Sequence, residues 1–204
     1  NLAFLEYHFM DENGEEIALA RRERKVGKGY NGFEVETKDV SLIEDLERRD
    51  LTINAIASVK GKYYDPFGGQ KDLKNKILRH TSEKFAEDPL RVLRLARFYA
   101  RYDGFTIAEE TKALCLSLRG ELSYLTKDRI SLEVMKVMSE DKPQKFFECL
   151  LDLKVLDVVF PEIYAMVNCE HDNEYHMEGN VFNHTMMVLA EASKNNNNIL
   201  VRMG

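Results

Sequence analysis

The sequence has little of what bends or breaks a chain. Eleven glycines and four prolines in 204 residues fall below the roughly 12% these two types usually make up together. A helix-rich architecture is the expectation. Cysteine is scarce too. Cys115, Cys149 and Cys169 are odd in number, widely spaced and never set as CxxC. That excludes a disulfide scaffold and suits reduced, mostly buried thiols in a cytoplasmic protein. No apolar run approaches the roughly 18 residues a membrane span needs, and no cleavable signal pattern opens the chain. What is there is globular: 44% hydrophobic, with 29 Lys and Arg against 35 Asp and Glu for a net charge of −6. The length suits one large domain or two small ones.

Three regions differ in texture. Residues 1–80 are strand-like with turns. Residues 4–9 and 16–20 form two expected strands around the turn Asp11-Glu12-Asn13-Gly14. A basic, glycine-spaced stretch follows over 21–30. Residues 41–58 are expected to be helical, 58–66 a short hairpin, and Phe67-Gly68-Gly69 a turn. From 81 to 165 helical signals multiply. Thr106-Ile107-Ala108-Glu109 has capping-box spacing. Thr126 precedes a helix with Ile130, Val134, Val137 and Met138 on one stripe. Pro143 suits a first helical turn, and Pro161 is expected to close that unit. Residues 166–204 hold three of the five histidines. Neither end looks native, so the chain reads as a piece cut from a longer protein.

Four constellations can carry chemistry. Arg91, Arg94, Arg97 and Arg101 step by three, three and four. On a helix they fall within about a third of the circumference. With acidic partners scarce after Asp88, such a stripe repels itself unless a polyanion covers it, which points to nucleotide or RNA phosphate; the alternative is a solvated face with local ion pairs. In Arg48-Arg49-Asp50-Leu51-Thr52-Ile53-Asn54, Asp50 and Asn54 are one turn apart. Guanidinium forks suit phosphate and a carboxylate suits a sugar hydroxyl, although an ordinary amphipathic helix reads the same way. Asp65-Pro66-Phe67-Gly68-Gly69-Gln70-Lys71-Asp72-Leu73 is turn chemistry with a structural role. His176 and His184, with Glu178 between them, have the residue types of a metal centre and little else to mark one. His8 and His80 read as structural.

The second and third of these segments, followed by Glu87-Asp88-Pro89-Leu90-Arg91, occur in an order and spacing that resemble the class II tRNA nucleotidyltransferases, the bacterial CCA-adding enzymes and their poly(A) polymerase relatives. Glu16-Ile17-Ala18-Leu19-Ala20-Arg21 and Gly27-Lys28-Gly29-Tyr30-Asn31-Gly32-Phe33 resemble the branch with a C-terminal HD phosphohydrolase domain. Val181-Phe182-Asn183-His184-Thr185 is similar to the opening of that domain.

The resemblance implies an α+β fold: a partial nucleotidyltransferase head over 1–80, an all-α neck and body over 81–165, and the start of a helical HD domain over 166–204. It implies addition of C and A to the 3′ end of tRNA from CTP and ATP, with Mg²⁺ in the head and a divalent metal in the HD domain. Asp88 and Arg91 would read the base. Arg48, Asp50 and Asn54 would hold ribose and triphosphate, supported by Arg94 and Arg97. Glu16 would be an acidic group near the metal, and His184 a ligand in the HD domain. Lys28, Arg101 and Arg129 would face RNA, with Arg129 and Glu133 bracing the neck. The family's Asp-x-Asp pair would lie before residue 1, so the fragment alone is expected to be inactive. A poly(A) polymerase, an enzyme adding only A or only CC, a catalytically dead RNA-binding module and an HD phosphohydrolase are the alternatives. Oligomeric state is not readable.

Overall fold

A computed structural model describes residues 8–10, 16–18, 22–25, 33–36, 40–169, 179–196 and 198–203. The first four of these segments are short strands. β1 (His8–Met10) pairs antiparallel with β2 (Glu16–Ala18), and β3 (Arg22–Lys25) with β4 (Phe33–Glu36). The two strands expected around Asn13-Gly14 are therefore both present; residues 4–7 and 19–20 of that expectation lie outside the described residues.

Helix α1 (Leu42–Glu47) starts at Ser41, whose hydroxyl accepts from the Glu44 amide while Glu44 reaches back to the Ser41 amide. It stops at Arg48, ten residues before the expected helix end. The backbone after Arg48 finds better partners elsewhere. The Thr52 amide donates to Arg79 O at 2.9 Å, the Thr81 amide donates to Asp50 O at 3.2 Å, and Leu51 bridges His80. Those bonds pull 50–52 out of the helix, and a single 3-10 turn over Thr52–Asn54 follows. Ala55 is buried, and Ile53 packs against the core.

Strands β5 (Ala57–Val59) and β6 (Lys62–Tyr64) make the expected hairpin. The next turn is the structural device its residues suggested. Gly68 adopts φ +74°, a left-handed conformation that costs other residues energy. Asp65 accepts from the Gly69 amide at 2.6 Å and the Gln70 amide at 2.9 Å, capping α2 (Gly69–Asn75). Gly69 also lies against the Thr52–Asn54 turn, where a Cβ would sit 2.1 Å from Thr52 O.

β7 (Ile77–Leu78) pairs in parallel with β8 (Thr106–Ile107). This corrects the capping-box expectation. The Thr106 amide donates to Lys76 O, and α4 (Glu109–Ser117) takes Ala108 as its cap with no side-chain capping bond. Strand pairing outcompeted a local cap.

Helix α3 (Leu90–Arg101) is the centre of what remains. Val92, Leu93, Leu95, Ala96, Phe98 and Ala100 are all buried. The core they join includes Phe146, Phe147 and Leu150 of α7 (Gln144–Asp152), which Pro143 starts as expected. After the short α5 (Arg119–Leu122), α6 (Lys127–Val137) turns its predicted stripe inward: Val137 and Met138 are buried, with Ile130 and Val134 beside them. After the short α8 (Leu156–Val159), Pro161, expected to close this unit, opens α9 (Pro161–Ala165), because its fixed φ suits a first helical position. α10 (Val181–Asn195), which follows, lays Phe182, Met186 and Leu189 onto the same core. The described chain is thus a helix-rich α+β fold. No helix of the described residues is long and apolar enough to cross a membrane.

Gly68→Ala meets no atom within 4 Å and should cost only the left-handed backbone term, about 1–2 kcal/mol. Gly69→Ala must displace a backbone carbonyl and should cost about 3 kcal/mol or more. Urea denaturation of both variants checks the ranking, and equal losses would contradict the close approach.

Candidate functional site

Two arginines at the end of α1 are held by one buried acid. Asp45 Oδ1 accepts from Arg48 Nε at 3.0 Å and Nη2 at 2.7 Å, and Oδ2 accepts from Arg49 Nη2 at 3.2 Å. Arg49 Nη1 donates to Asn54 O at 3.0 Å, tying the helix end to the 3-10 turn. Sequence reasoning passed over Asp45. Its spacing of three and four residues from the arginines was the available signal.

The next residue is the junction with α3. Asp50 Oδ1 accepts from the Leu51 amide and from Asn54 Nδ2, each at 2.9 Å; Oδ2 accepts from Arg94 Nε at 2.8 Å, with Arg94 Nη2 in ion-pair contact at 2.7 Å. Burial pushes the Asp50 pKa up, but the charge and hydrogen bonds of Arg94, with Asn54 and the Leu51 amide, outweigh it and hold the carboxyl below its ordinary value. Arg91, one turn earlier, is buried. Its Nη1 donates to Lys84 O at 2.7 Å and its Nη2 to Arg48 O at 2.6 Å.

Asp88 sits just before α3. It accepts from the Leu90 amide at 3.1 Å and from Arg129 Nη2 at 3.1 and 2.8 Å. The side chains of Asp88 and Arg129 are 25% and 22% exposed, so this pair reaches solvent where Arg91 does not. Further along α3, Arg97 Nε donates to Glu133 at 2.8 Å, with both side chains buried. Glu133 also accepts from Lys136 at 2.8 Å. Desolvation would raise its pKa, yet those bonds from Lys136 and Arg97 keep it below the ordinary value. Glu140 lies 3.9 Å from both Arg97 and Arg101, and Arg101 is about half exposed.

The arginine stripe is therefore not the self-repelling face its spacing suggested. Asp50, Glu133 and Glu140, remote in sequence, supply the counter-charges. Among the expected site residues, Arg48, Asp50, Asn54, Arg91 and Arg94 come together, and Asp88 meets Arg129. Glu16 stands on β2 opposite Met10, but its side chain, with Lys28, His176 and Glu178, lies outside what is described. His184 is half-buried in the first turn of α10. The glycine-turn segment contributes through Asp72, which accepts from Thr52 Oγ1 at 2.8 Å and Arg79 Nε at 3.0 Å and so steadies the Thr52–Asn54 turn.

Residues 4–79 match the family described as Poly A polymerase head domain, and residues 104–166 match Probable RNA and SrmB- binding site of polymerase A. The Multifunctional CCA protein of Tolumonas auensis is 52% identical over 194 residues, covering 92% of this chain and 47% of that protein. The chain belongs to the class II tRNA nucleotidyltransferases. Its counterpart in Shewanella denitrificans is 48% identical over 197 residues, covering 94% of this chain and 48% of its own. Among solved structures, a CCA-adding enzyme in apo form II superposes with a TM-score of 0.66 at 27% identity, covering 94% of this chain and 44% of that one. A tRNA nucleotidyltransferase complexed with a primer tRNA and an incoming ATP analog gives 0.64 at 28%, covering 92% and 49%. The chain spans about half the length of the curated relatives it matches.

This family uses divalent metal. Among the described residues, however, no group of three or more His, Cys, Asp and Glu side chains gathers to hold an ion. The described donor set does not by itself fit one.

Asp50 and Glu133 have folded pKa values below their unfolded ones, so the stability they contribute is complete above the usual carboxylate range and fades as pH falls through the depressed values. Urea midpoints should therefore hold from neutrality to about pH 5 and drop below about pH 4. At pH 7, Glu133→Ala strands the buried Arg97 charge and should cost about 3–5 kcal/mol. Adding Arg97→Met should recover part of that loss, and no recovery would contradict the buried pair.

Proposed function

We propose that the full-length protein adds C and A nucleotides to the 3′ end of tRNA, using CTP and ATP, releasing pyrophosphate and needing no nucleic-acid template. The observation that carries this reading is Asp88. Its carboxylate, fixed by the Leu90 amide and Arg129 and still reaching solvent, stands one helical turn from Arg91 and beside the Asp50–Arg94–Asn54 cluster. Cytosine and adenine both offer an amine donor next to a ring-nitrogen acceptor. A carboxylate that only accepts and a guanidinium that only donates match that pair. Uracil and guanine put a carbonyl beside an N–H, which sets acceptor against acceptor and donor against donor. A buried mismatch of that kind is strongly penalised.

In this reading the tRNA 3′-oxygen attacks the α-phosphorus of the nucleotide. One phosphorus–oxygen bond forms as the bond to the bridging oxygen breaks, and pyrophosphate leaves. Arg48 and Arg94 meet the triphosphate, Asn54 the ribose, and Arg97 keeps α3 fixed against α6. Lys28, Arg101 and Arg129 face the RNA; of the three, Arg129 falls within the residues that match a family described as a probable RNA-binding site, and a relative has been solved with tRNA. Mg²⁺ near Glu16 and a divalent metal near His184, in an HD-type region over 166–204, belong to the same reading; neither ion enters the steps above. The cytoplasm suits the thiols: burial pushes Cys115 up to about 12, where it stays protonated and inert.

The test gives the full-length protein a tRNA lacking its 3′ end, with CTP alone, ATP alone, or both. Two additions with CTP and three with both nucleotides are expected. A long ladder with ATP alone would make it a poly(A) polymerase, and no extension would leave an RNA-binding module. Asp88→Ala and Arg91→Ala should each lose about tenfold or more of the discrimination against UTP. Unchanged discrimination in both would remove these residues from base selection.

A further inference from the structure

Among the described strands, β6 pairs only with β5. Successive residues of a strand face opposite sides, yet Lys62, Tyr63 and Tyr64 are all exposed, the two tyrosines at 71% and 49%. Strand β6 therefore stands clear of the core on both faces. The register sets Tyr63 opposite Ser58 on one face, and Tyr64 opposite Ala57 with Lys62 opposite Val59 on the other. Lys60 and Gly61 close the hairpin at φ +51° and +77°, positive at both central positions as a type I′ turn requires. Asparagine or glycine suits the first of these positions better than lysine does. Here that position carries an ammonium group to the tip.

The charge around the hairpin is of one sign. Residues 60–76 hold Lys60, Lys62, Lys71, Lys74 and Lys76 against two acids, in a chain whose net charge is −6. Both acids are committed within the protein. Asp65 accepts from the Gly69 and Gln70 amides, which fixes the hairpin root to the start of α2, and Asp72 is held by Thr52 and Arg79. All five lysines are exposed, and none forms an ion pair with a described residue. Lys71 and Lys74, three apart on α2, share a face. We infer that the β5–β6 hairpin is a contact surface for unpaired RNA nucleotides, with bases stacked on Tyr63 and Tyr64 and phosphates met by Lys60, Lys62, Lys71 and Lys74. Every base has a face that can stack on an aromatic ring, and the backbone between bases needs cations, so this mixture of side chains suits a single strand. An acidic peptide would engage the lysines and gain nothing from the rings. The hairpin lies in the stretch that matches the head-domain family and outside residues 104–166, the stretch matched to a probable RNA-binding site. The surface rests on the RNA contacts of the proposed function and not on its nucleotide addition.

The test measures fluorescence anisotropy of a short labelled single-stranded RNA, and of a blunt RNA duplex of the same sequence, titrated with the full-length protein over a range of salt. Tyr63→Ala and Tyr64→Ala should each weaken binding of the single strand about fivefold or more, with the duplex unaffected because it offers no unpaired base. Tyr63→Phe and Tyr64→Phe keep the rings and should bind as the wild type does. Lys60→Asn removes a charge while giving the turn a residue that suits its φ, so a loss there is not a loss of folding. With Lys62→Gln it should reduce the slope of log K against log salt by about 0.7 for each charge removed. Unchanged affinity for the single strand in the tyrosine-to-alanine variants would overturn the inference, and so would an equal loss for the duplex. An unchanged salt slope in the lysine variant would do the same, even if the alanine variants loosened the hairpin. Losses in the lysine variant alone would point to a partner read by charge, such as an acidic peptide, and would overturn base stacking. A wild type that binds no single strand would overturn the surface outright. One that shows the expected pattern but extends no tRNA would support the surface and overturn only the proposed activity.

Discussion

A guanidinium cannot shed its charge in a protein, so a helix that carries arginines into a core dictates what packs around it. Helix α3 sets this constraint. Its apolar side joins the main core, while Arg91, Arg94 and Arg97 enter the packed region between elements. Each is met by a fixed acceptor: two backbone carbonyls for Arg91, Asp50 for Arg94 and Glu133 for Arg97. Those acceptors come from the end of α1, the 3-10 turn region and α6. Satisfying three charges therefore places three otherwise separate elements, and the candidate site lies where they meet.

The site's precision comes from a second layer of contacts. The Thr52–Asn54 turn is held from below by Gly69, whose missing Cβ admits Thr52 O, and by the Thr52–Asp72 hydrogen bond. It is held from the side by Arg49 on Asn54 O. Asp45 in turn fixes Arg48 and Arg49. A segment with the composition of a turn is thus part of the support for the Asp50–Asn54–Arg94 cluster, and its role is structural. On the far side of α6, Arg202 donates from a buried guanidinium to Met138 O, Glu140 O, Ser193 O and Asn196 O. It fastens the described C-terminal residues to the end of the helix that carries Arg129 and Glu133.

Much of this was legible from residue order. The inward stripe of α6 followed from the spacing of Ile130, Val134 and Val137, and the start of α7 from Pro143. The hairpin after residue 57 and the glycine turn followed from the same kind of local chemistry. The misreadings share one cause. The helix expected over 41–58 ends at Glu47, and Thr106 enters a strand, because partners remote in sequence offered their backbones better hydrogen bonds. The arginine stripe looked uncompensated for the same reason: Glu133 is 36 residues from Arg97, and Asp50 is 44 from Arg94.

By itself the sequence determined the residue types and their order: the two arginines before Asp50, the glycine pair, and Asp88 three residues ahead of Arg91. Side-chain chemistry and chain connectivity are local properties, so the family could be read from them. Only the tertiary structure decided which of those side chains keep capacity for a ligand. Folding turns two of Arg91's five donors to backbone carbonyls and commits Asp50 to the Leu51 amide, Asn54 and Arg94. Asn54, Arg94 and the Asp88–Arg129 pair remain partly exposed. A hydrogen bond made inside the protein is unavailable to a ligand, and which bonds are made depends on what the fold brings within about 3 Å.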